Sequence, residues 1–203
     1  MDLVPRNTVM TMDKAGDFTV SEVYLDGKLQ KAEYIDDDEK SYGIFMHSLI
    51  LSNYTEVMRI DNGKVNVVGS EYEKAVFYYA LSKGFNKNLI ESIAPKVTEL
   101  TFGGKQGLKA STHLINEKIR IVSKGTPKEL LSRCSYILLD SKIVKITRKI
   151  FRGVNDVLCD MVNRCLNVYA IAIKDVSRVS VVLDADTYVN EMTLVALVGI
   201  GKA

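Results

Sequence analysis

The chain has 203 residues, 47% of them hydrophobic and 26% charged, with 27 Lys+Arg against 25 Asp+Glu for a net charge of +2. These values fit one packed domain, alone or with a small appendage, and exclude a disordered polymer. A near-neutral balance without a concentrated basic face excludes a nucleic-acid surface. Apolar runs such as "TLVALVGI" fall far short of the roughly 20 residues that cross a bilayer, and the N-terminus has no signal-peptide pattern, so the chain reads as soluble. Cys134, Cys159 and Cys165 lack a CxxC spacing. They read as reduced, buried thiols of a cytosolic protein.

In chain order, "NTVMTMDKAGDFTVSEVYLDGK" predicts a short strand to Met12, a loop, and a strand over Thr19 to Leu25 that ends in an Asp26-Gly27 turn. "KAEYIDDDEK" is an acidic loop. From Lys40, "SYGIFMHSLILSN" sets Tyr42, Phe45, Met46, Leu49 and Ile50 on one helical stripe. Asn62-Gly63 marks another turn. "GSEYEKAVFYYALSKG" opens with Ser70 and Glu73 spaced as a capping box and stops at Gly84. A short helix, "NKNLIESIA", is cut off by Pro95.

Beyond Pro95 the pattern turns to strands: "KVTELTF", "STHLI", "KIRIVSK", and "YILL" and "IVKI" around a three-residue "DSK" turn. From Arg148 to Cys165 a helix carries Ile150, Val154, Val157, Leu158, Met161 and Val162 at spacings of three and four. "NVYAIAIKD" and "TLVALVGI" are the last strands, the second apolar throughout and expected to be buried on both faces. Helices and hairpins mix without strict alternation. The expected fold is α+β, a mostly antiparallel twisted sheet flanked by helices, with no internal repeat.

"IRIVSKGTPKELLSRC", residues 119–134, is a strand, a tight turn and a helix start. Thr126, Pro127 and Glu129 have the spacing of a cap, a first helical residue and a capping box. Helix starts attract anions, and Lys124 adds a cation beside this one. Two readings stand open: a phosphate-bearing ligand, or a solvated strand-end lysine. No GxxxxGK[ST], GxGxxG or HExxH occurs, His47 and His113 lack ligand-spaced neighbours, and no metal site is expected. "GVND", residues 153–156, echoes a magnesium-binding loop of certain phosphotransferases but lies inside the helical stripe.

Five blocks appear in a telling order: Asp-Lys-x-Gly at residues 13–16, "GSEYEKA", "LTFGGKQGLKAST", "KGTPKELLSRC" and "NVYAIAIKD". The series resembles the nucleotide-binding (N) domain of P-type cation-transporting ATPases of the calcium-pump-like branch. That family writes the blocks approximately as D-K-T-G-T-L-T, G-D-P-T-E-x-A, a Phe followed by a lysine and M-S, K-G-A-P-E-x-x-L-x-R-C, and L-R-V-L-A-L-A-x-K. The resemblance runs from about Thr8 to Ile200 and is loosest over residues 28–66. It implies that residues 1–24 end a phosphorylation-domain strand and hinge, that 25–191 form the nucleotide-binding domain, and that 192–203 return toward the phosphorylation domain.

The resemblance also implies ATP as ligand, with Mg2+ bound alongside it. Glu73 becomes the adenine-side carboxylate, Phe102 the ring that stacks on adenine, and Lys124 with Gly125 the floor of the pocket. The family lysine after the phenylalanine falls on Gly107. Lys109 fits if two residues are inserted, and Lys105 is the other candidate. Lys128 replaces the glutamate of K-G-A-P-E, and Asn167 stands where the family has an arginine. The phosphorylated aspartate corresponds to Asp13, within "DKAGDFT". There Ala15 removes a hydroxyl and Asp17 adds a negative charge, both of which oppose its use as a nucleophile. The implied partners are the phosphorylation and actuator domains of a parent pump, with the membrane reached only through segments outside this sequence. The expected setting is a cytoplasmic domain of an integral membrane protein. The rival reading is a regulatory module that kept the fold and lost nucleotide turnover.

Overall fold

A computed structural model describes residues 16–59, 65–100, 102, 107–164, 166–178 and 188–203. Asp13, Lys105, Cys165 and the Asn62-Gly63 turn lie outside the described residues. Strand β1 (Phe18–Leu25) turns through Asp26 and Gly27 into β2 (Lys28–Lys31). Both turn residues have positive φ, 50° and 80°, the geometry of a tight two-residue hairpin that Asp-Gly adopts readily. Helix α1 (Tyr42–Leu51) buries Phe45, Met46, Leu49 and Ile50. Strands β3 (Glu56–Arg59) and β4 (Val65–Val68) pair antiparallel in a separate small ribbon, in the stretch where the sequence signal was weakest.

Helix α2 (Glu71–Ser82) is capped by Ser70, whose hydroxyl accepts from the Glu73 N–H at 3.3 Å. Helix α3 (Lys87–Ile93) is capped by Asn86. Strands β5 (Lys96–Leu100), β6 (Leu108–Ile115) and β7 (Lys118–Gly125) follow, then the short α4 (Pro127–Leu131). Strands β8 (Cys134–Leu139) and β9 (Lys142–Lys145) meet across a two-residue turn, Asp140-Ser141, rather than the expected three-residue "DSK". Both turn residues take positive φ, which frees Lys142 to pair with Leu139. Helix α5 (Arg148–Asn163), strand β10 (Asn167–Val176) and strand β11 (Met192–Lys202) complete the chain.

Among the described residues nine strands form one sheet, in the order β2-β1-β11-β10-β7-β6-β5, with β8 joined to β11 and β9 to β8. Every pairing is antiparallel except β8 with β11. The fold is therefore α+β, a mostly antiparallel sheet flanked by helices. Alternation along β10 sends Ile171 and Ile173 into one hydrophobic cluster with α1 and α2, and Ala170 and Ala172 into another with α4 and α5. Strand β11 is buried on both faces, as its unbroken apolar run predicts.

Two local expectations are corrected. Val162 is 53% exposed, because it sits on the order of 90° around the helix from the Val154–Met161 line that faces the sheet. Cys159 is exposed rather than buried. Cys134 is partly buried against the hydrophobic cluster of α4 and α5, and burial pushes its thiol up to about 12.

Candidate functional site

Lys124, next to the last residue of β7, lies on the sheet face that α1 and α2 cover and faces the first turn of α2. Its ammonium pairs with the Glu73 carboxylate, and the two side chains are only 11% and 16% exposed. The solvated-lysine reading is thereby excluded. The helix starts where expected, with Thr126 before it and Pro127 as its first residue, but the capping box does not form: the Thr126 side chain makes no capping hydrogen bond, and Glu129 pairs with Arg133 at 3.0 Å.

Glu73 is held from its other side. Its second carboxylate oxygen accepts from Asn53 Nδ2 at 3.0 Å and from the Tyr54 N–H at 3.1 Å. Asn53 Nδ2 also donates to the Glu73 carbonyl at 2.8 Å, and its Oδ1 accepts from the Thr55 N–H. The carboxylate is thus fixed by the segment after α1 and does not turn back on its own helix start.

Lys109 lies directly opposite Lys124 on β6. Like charges facing each other across strands repel. The Tyr54 ring relieves part of this, with the Lys109 ammonium 4.5 Å and the Lys124 ammonium 5.2 Å from its centroid. The Tyr169 ring lies 5.4 Å from Lys124 on the β10 side. Burial lowers the Lys124 pKa below the ordinary lysine value despite the opposing pull of Glu73. Burial raises both tyrosines' pKa values, so both stay neutral phenols.

Glu73, Lys109, Lys124 and Tyr169 line a cavity of about 230 Å3. Ser70, Tyr72 and Glu73 form its α2 side, Lys109, Lys124 and Gly125 its sheet side, and Asn167 with Tyr169 its β10 side. Gly125 is required there: a Cβ would stand 2.7 Å from the Gly107 carbonyl oxygen, which accepts from the Thr126 N–H. The fold thus brings five expected residues, Glu73, Lys109, Lys124, Gly125 and Asn167, to one cavity. Phe102 packs against the hydrophobic cluster shared with α4 and α5 and is not among the described residues lining the cavity.

Asn53, Tyr54, Tyr72 and Tyr169 are part of the site's architecture that the sequence reading missed. Tyr72 and Tyr169 sit inside quoted blocks, and an aromatic within two residues of an expected contact was the available signal. Asn53 and Tyr54 fall in the stretch of weakest resemblance and carried none.

The family model described as "P-type ATPase, cytoplasmic domain N" matches residues 42–201. The chain is 22% identical to Calcium-transporting ATPase 1 of Bacillus cereus over 95% of its own length and 21% of that protein's. It is 26% identical to Calcium-transporting ATPase 10, plasma membrane-type, of Arabidopsis thaliana, over 95% of its own length and 20% of that protein's. It therefore spans about a fifth of the length of these relatives. With a matching family model over most of its length, the chain belongs to the P-type ATPase cytoplasmic N domains.

Proposed function

We propose that this domain binds ATP at the Lys109–Lys124 cavity and presents the γ-phosphate to a phosphorylatable aspartate on a partner domain of a cation-transporting ATPase. The observation that carries the reading is the pair of lysines held side by side, facing a cavity whose one carboxylate pairs with Lys124 alone. Two adjacent cations cost folding energy unless an anion meets them, and Glu73 neutralises only one. The aromatic walls suit a base, and the lysines suit the phosphate-bearing end. At about 230 Å3 the cavity is smaller than a typical ligand pocket, so it takes part of a nucleotide and leaves the rest projecting.

Mg2+ fits this arrangement only as a companion of the nucleotide. The lone cavity carboxylate among the described residues, Glu73, is already engaged by Lys124, Asn53 and Tyr54. The metal would ride on the phosphates. The relatives' printed names point to calcium as the ion a parent pump moves, and such a pump would supply the phosphorylation and actuator domains and the membrane anchor.

NMR titration of the chain with ATP, with and without Mg2+, tests the reading. Binding is expected between micromolar and millimolar, roughly −4 to −8 kcal/mol, with amide shifts at Lys109, Lys124 and Tyr169. Lys109→Ala weakens it, and Phe102→Ala tests whether that ring reaches the base. Absence of any ATP-dependent shift at these positions overturns the assignment and favours the regulatory-module reading.

A further inference from the structure

A different surface has no role in the nucleotide cavity. Residues 142–152 carry Lys142, Lys145, Arg148, Lys149 and Arg152 and no acid. All five are exposed, and none makes an ion pair with a described residue. Some exposed cations elsewhere are paired, as in Lys28 with Glu39 and Lys40 with Asp140. Ile143 and Phe151, in the same stretch, are 64% and 43% exposed.

The backbone here is open too. Among the described residues β9 pairs with β8 alone. Leu139 and Lys142 close the two-residue hairpin, and the Ile146 N–H donates to the Ser135 carbonyl at 2.9 Å. Antiparallel ladders alternate bonded and non-bonded pairs. The pairs Leu138–Ile143 and Tyr136–Lys145 are therefore the non-bonded ones, and the N–H and C=O groups of Ile143 and Lys145 point outward from the sheet. Just past the strand, Ile146, Phe151, Arg148 and Arg152 border an open cleft at the start of α5.

Lysines on an edge strand discourage pairing between copies of a protein. That accounts for Lys142 and Lys145. It does not account for Arg148, Lys149 and Arg152, which lie off the strand, nor for the exposed Ile143 and Phe151. We infer that this edge docks an extended acidic polypeptide, which adds a strand to β9 through Ile143 and Lys145, sets its carboxylates against the five cations and places an apolar side chain beside Phe151. A lipid headgroup layer would use the charge but not the outward ladder groups. Those groups are what favour a polypeptide.

The probe is an acetylated heptapeptide of alternating glutamate and valine, titrated into labelled chain. Shifts are expected at the Ile143 and Lys145 amides, with affinity falling as salt rises. Replacing Lys145, Arg148 and Arg152 by Glu weakens binding by at least about tenfold, since three charge contacts are lost and each reversal adds repulsion. Because the replaced residues are exposed, the melting temperature is expected to hold. On the unaltered chain, the same peptide N-methylated at alternate residues keeps its charge but cannot pair along β9, and it is expected to lose binding. The inference is overturned if the peptide moves neither amide, or if the N-methylated form binds equally well. Tighter binding to phosphatidylserine-containing vesicles than to the peptide would make the partner a membrane. Self-association of the chain through its acidic 36–38 loop would make it a second copy.

Discussion

Glu73 and Lys124 lie 51 residues apart in sequence, yet the first turn of α2 and the end of β7 bring their charges into direct contact in a nearly dry setting. Removing one partner of such a pair strands the other charge, which costs about 3–5 kcal/mol. Glu73→Gln and Lys124→Met are each expected to destabilise the domain toward the lower end of that range, because the cavity admits water. The double substitution is expected to cost less than the sum. Urea denaturation of the three variants checks this, and strict additivity would mean that the two groups do not interact.

Asp26 anchors a second long-range junction. Its carboxylate accepts from the Ser41 N–H at 3.0 Å, from the Ser41 hydroxyl and from the Asp140 N–H at 2.8 Å, tying the β1–β2 turn to the start of α1 and to the β8–β9 turn. Hydrogen bonds to a buried charge contribute on the order of 1.5–3 kcal/mol each. Asp26→Asn tolerates the positive φ but offers one accepting oxygen. It is expected to lose about 2–3 kcal/mol, read as a lower denaturation midpoint, and an unchanged midpoint refutes the junction.

His113 supplies a pH dependence. Its Nδ1 lies 3.1 Å from the Ala94 carbonyl, which can only accept, so Nδ1 carries the proton and Nε2 accepts from Ser111 at 2.8 Å. Burial lowers its pKa below 6.5, with Lys96 and Lys87 adding to the effect and the Ala94 carbonyl and Glu91 opposing it. Burial and Arg120 likewise lower the pKa of His47. The unfolded chain therefore binds protons more readily than the folded one. Stability from these residues is full above about pH 6.5 and falls as the pH drops toward the folded pKa values, by up to ~1.4 kcal/mol per unit for each histidine. Melts between pH 7.5 and 5 test this. His113→Gln is expected to flatten the slope by one histidine's share.

Local grammar carried much of this fold: the Asp26-Gly27 hairpin, the Ser70 cap, the Pro95 stop and the all-apolar β11 follow from residues near one another in sequence. Misreadings arose where a side chain had another partner competing with the cap, distant in sequence for Glu73 and one turn away for Glu129. Glu73 and Glu129 both have capping-box spacing, but one is drawn to Lys124 and the other to Arg133. Spacing cannot express that competition. The cavity's composition was legible through ordered family blocks. Its tyrosines were not, because Tyr54, whose ring meets both lysines, comes from a segment with almost no family signal, and Tyr169 reads as one more apolar strand residue.

Asn167 offers the sharpest test of how ligand phosphates meet this site. It opens β10 opposite Ile200 and lines the cavity. It has no capping duty, since α5 ends at Asn163 with Arg164 as its cap. An arginine there would add a planar fork of donors able to grip phosphate oxygens bidentately, which a neutral amide cannot do. Hydrogen bonds to charged groups are worth on the order of 1.5–3 kcal/mol, part of which is lost to solvent at an exposed strand end. Asn167→Arg is therefore expected to tighten ATP binding by at least ~1 kcal/mol, roughly fivefold, with the gain shrinking in high salt. Adenosine, which lacks phosphates, is expected to bind both forms equally. Calorimetry with the two ligands on folded wild type and variant makes the comparison. An equal gain for adenosine, or none for ATP, would mean that residue 167 does not face the phosphates of the proposed ligand.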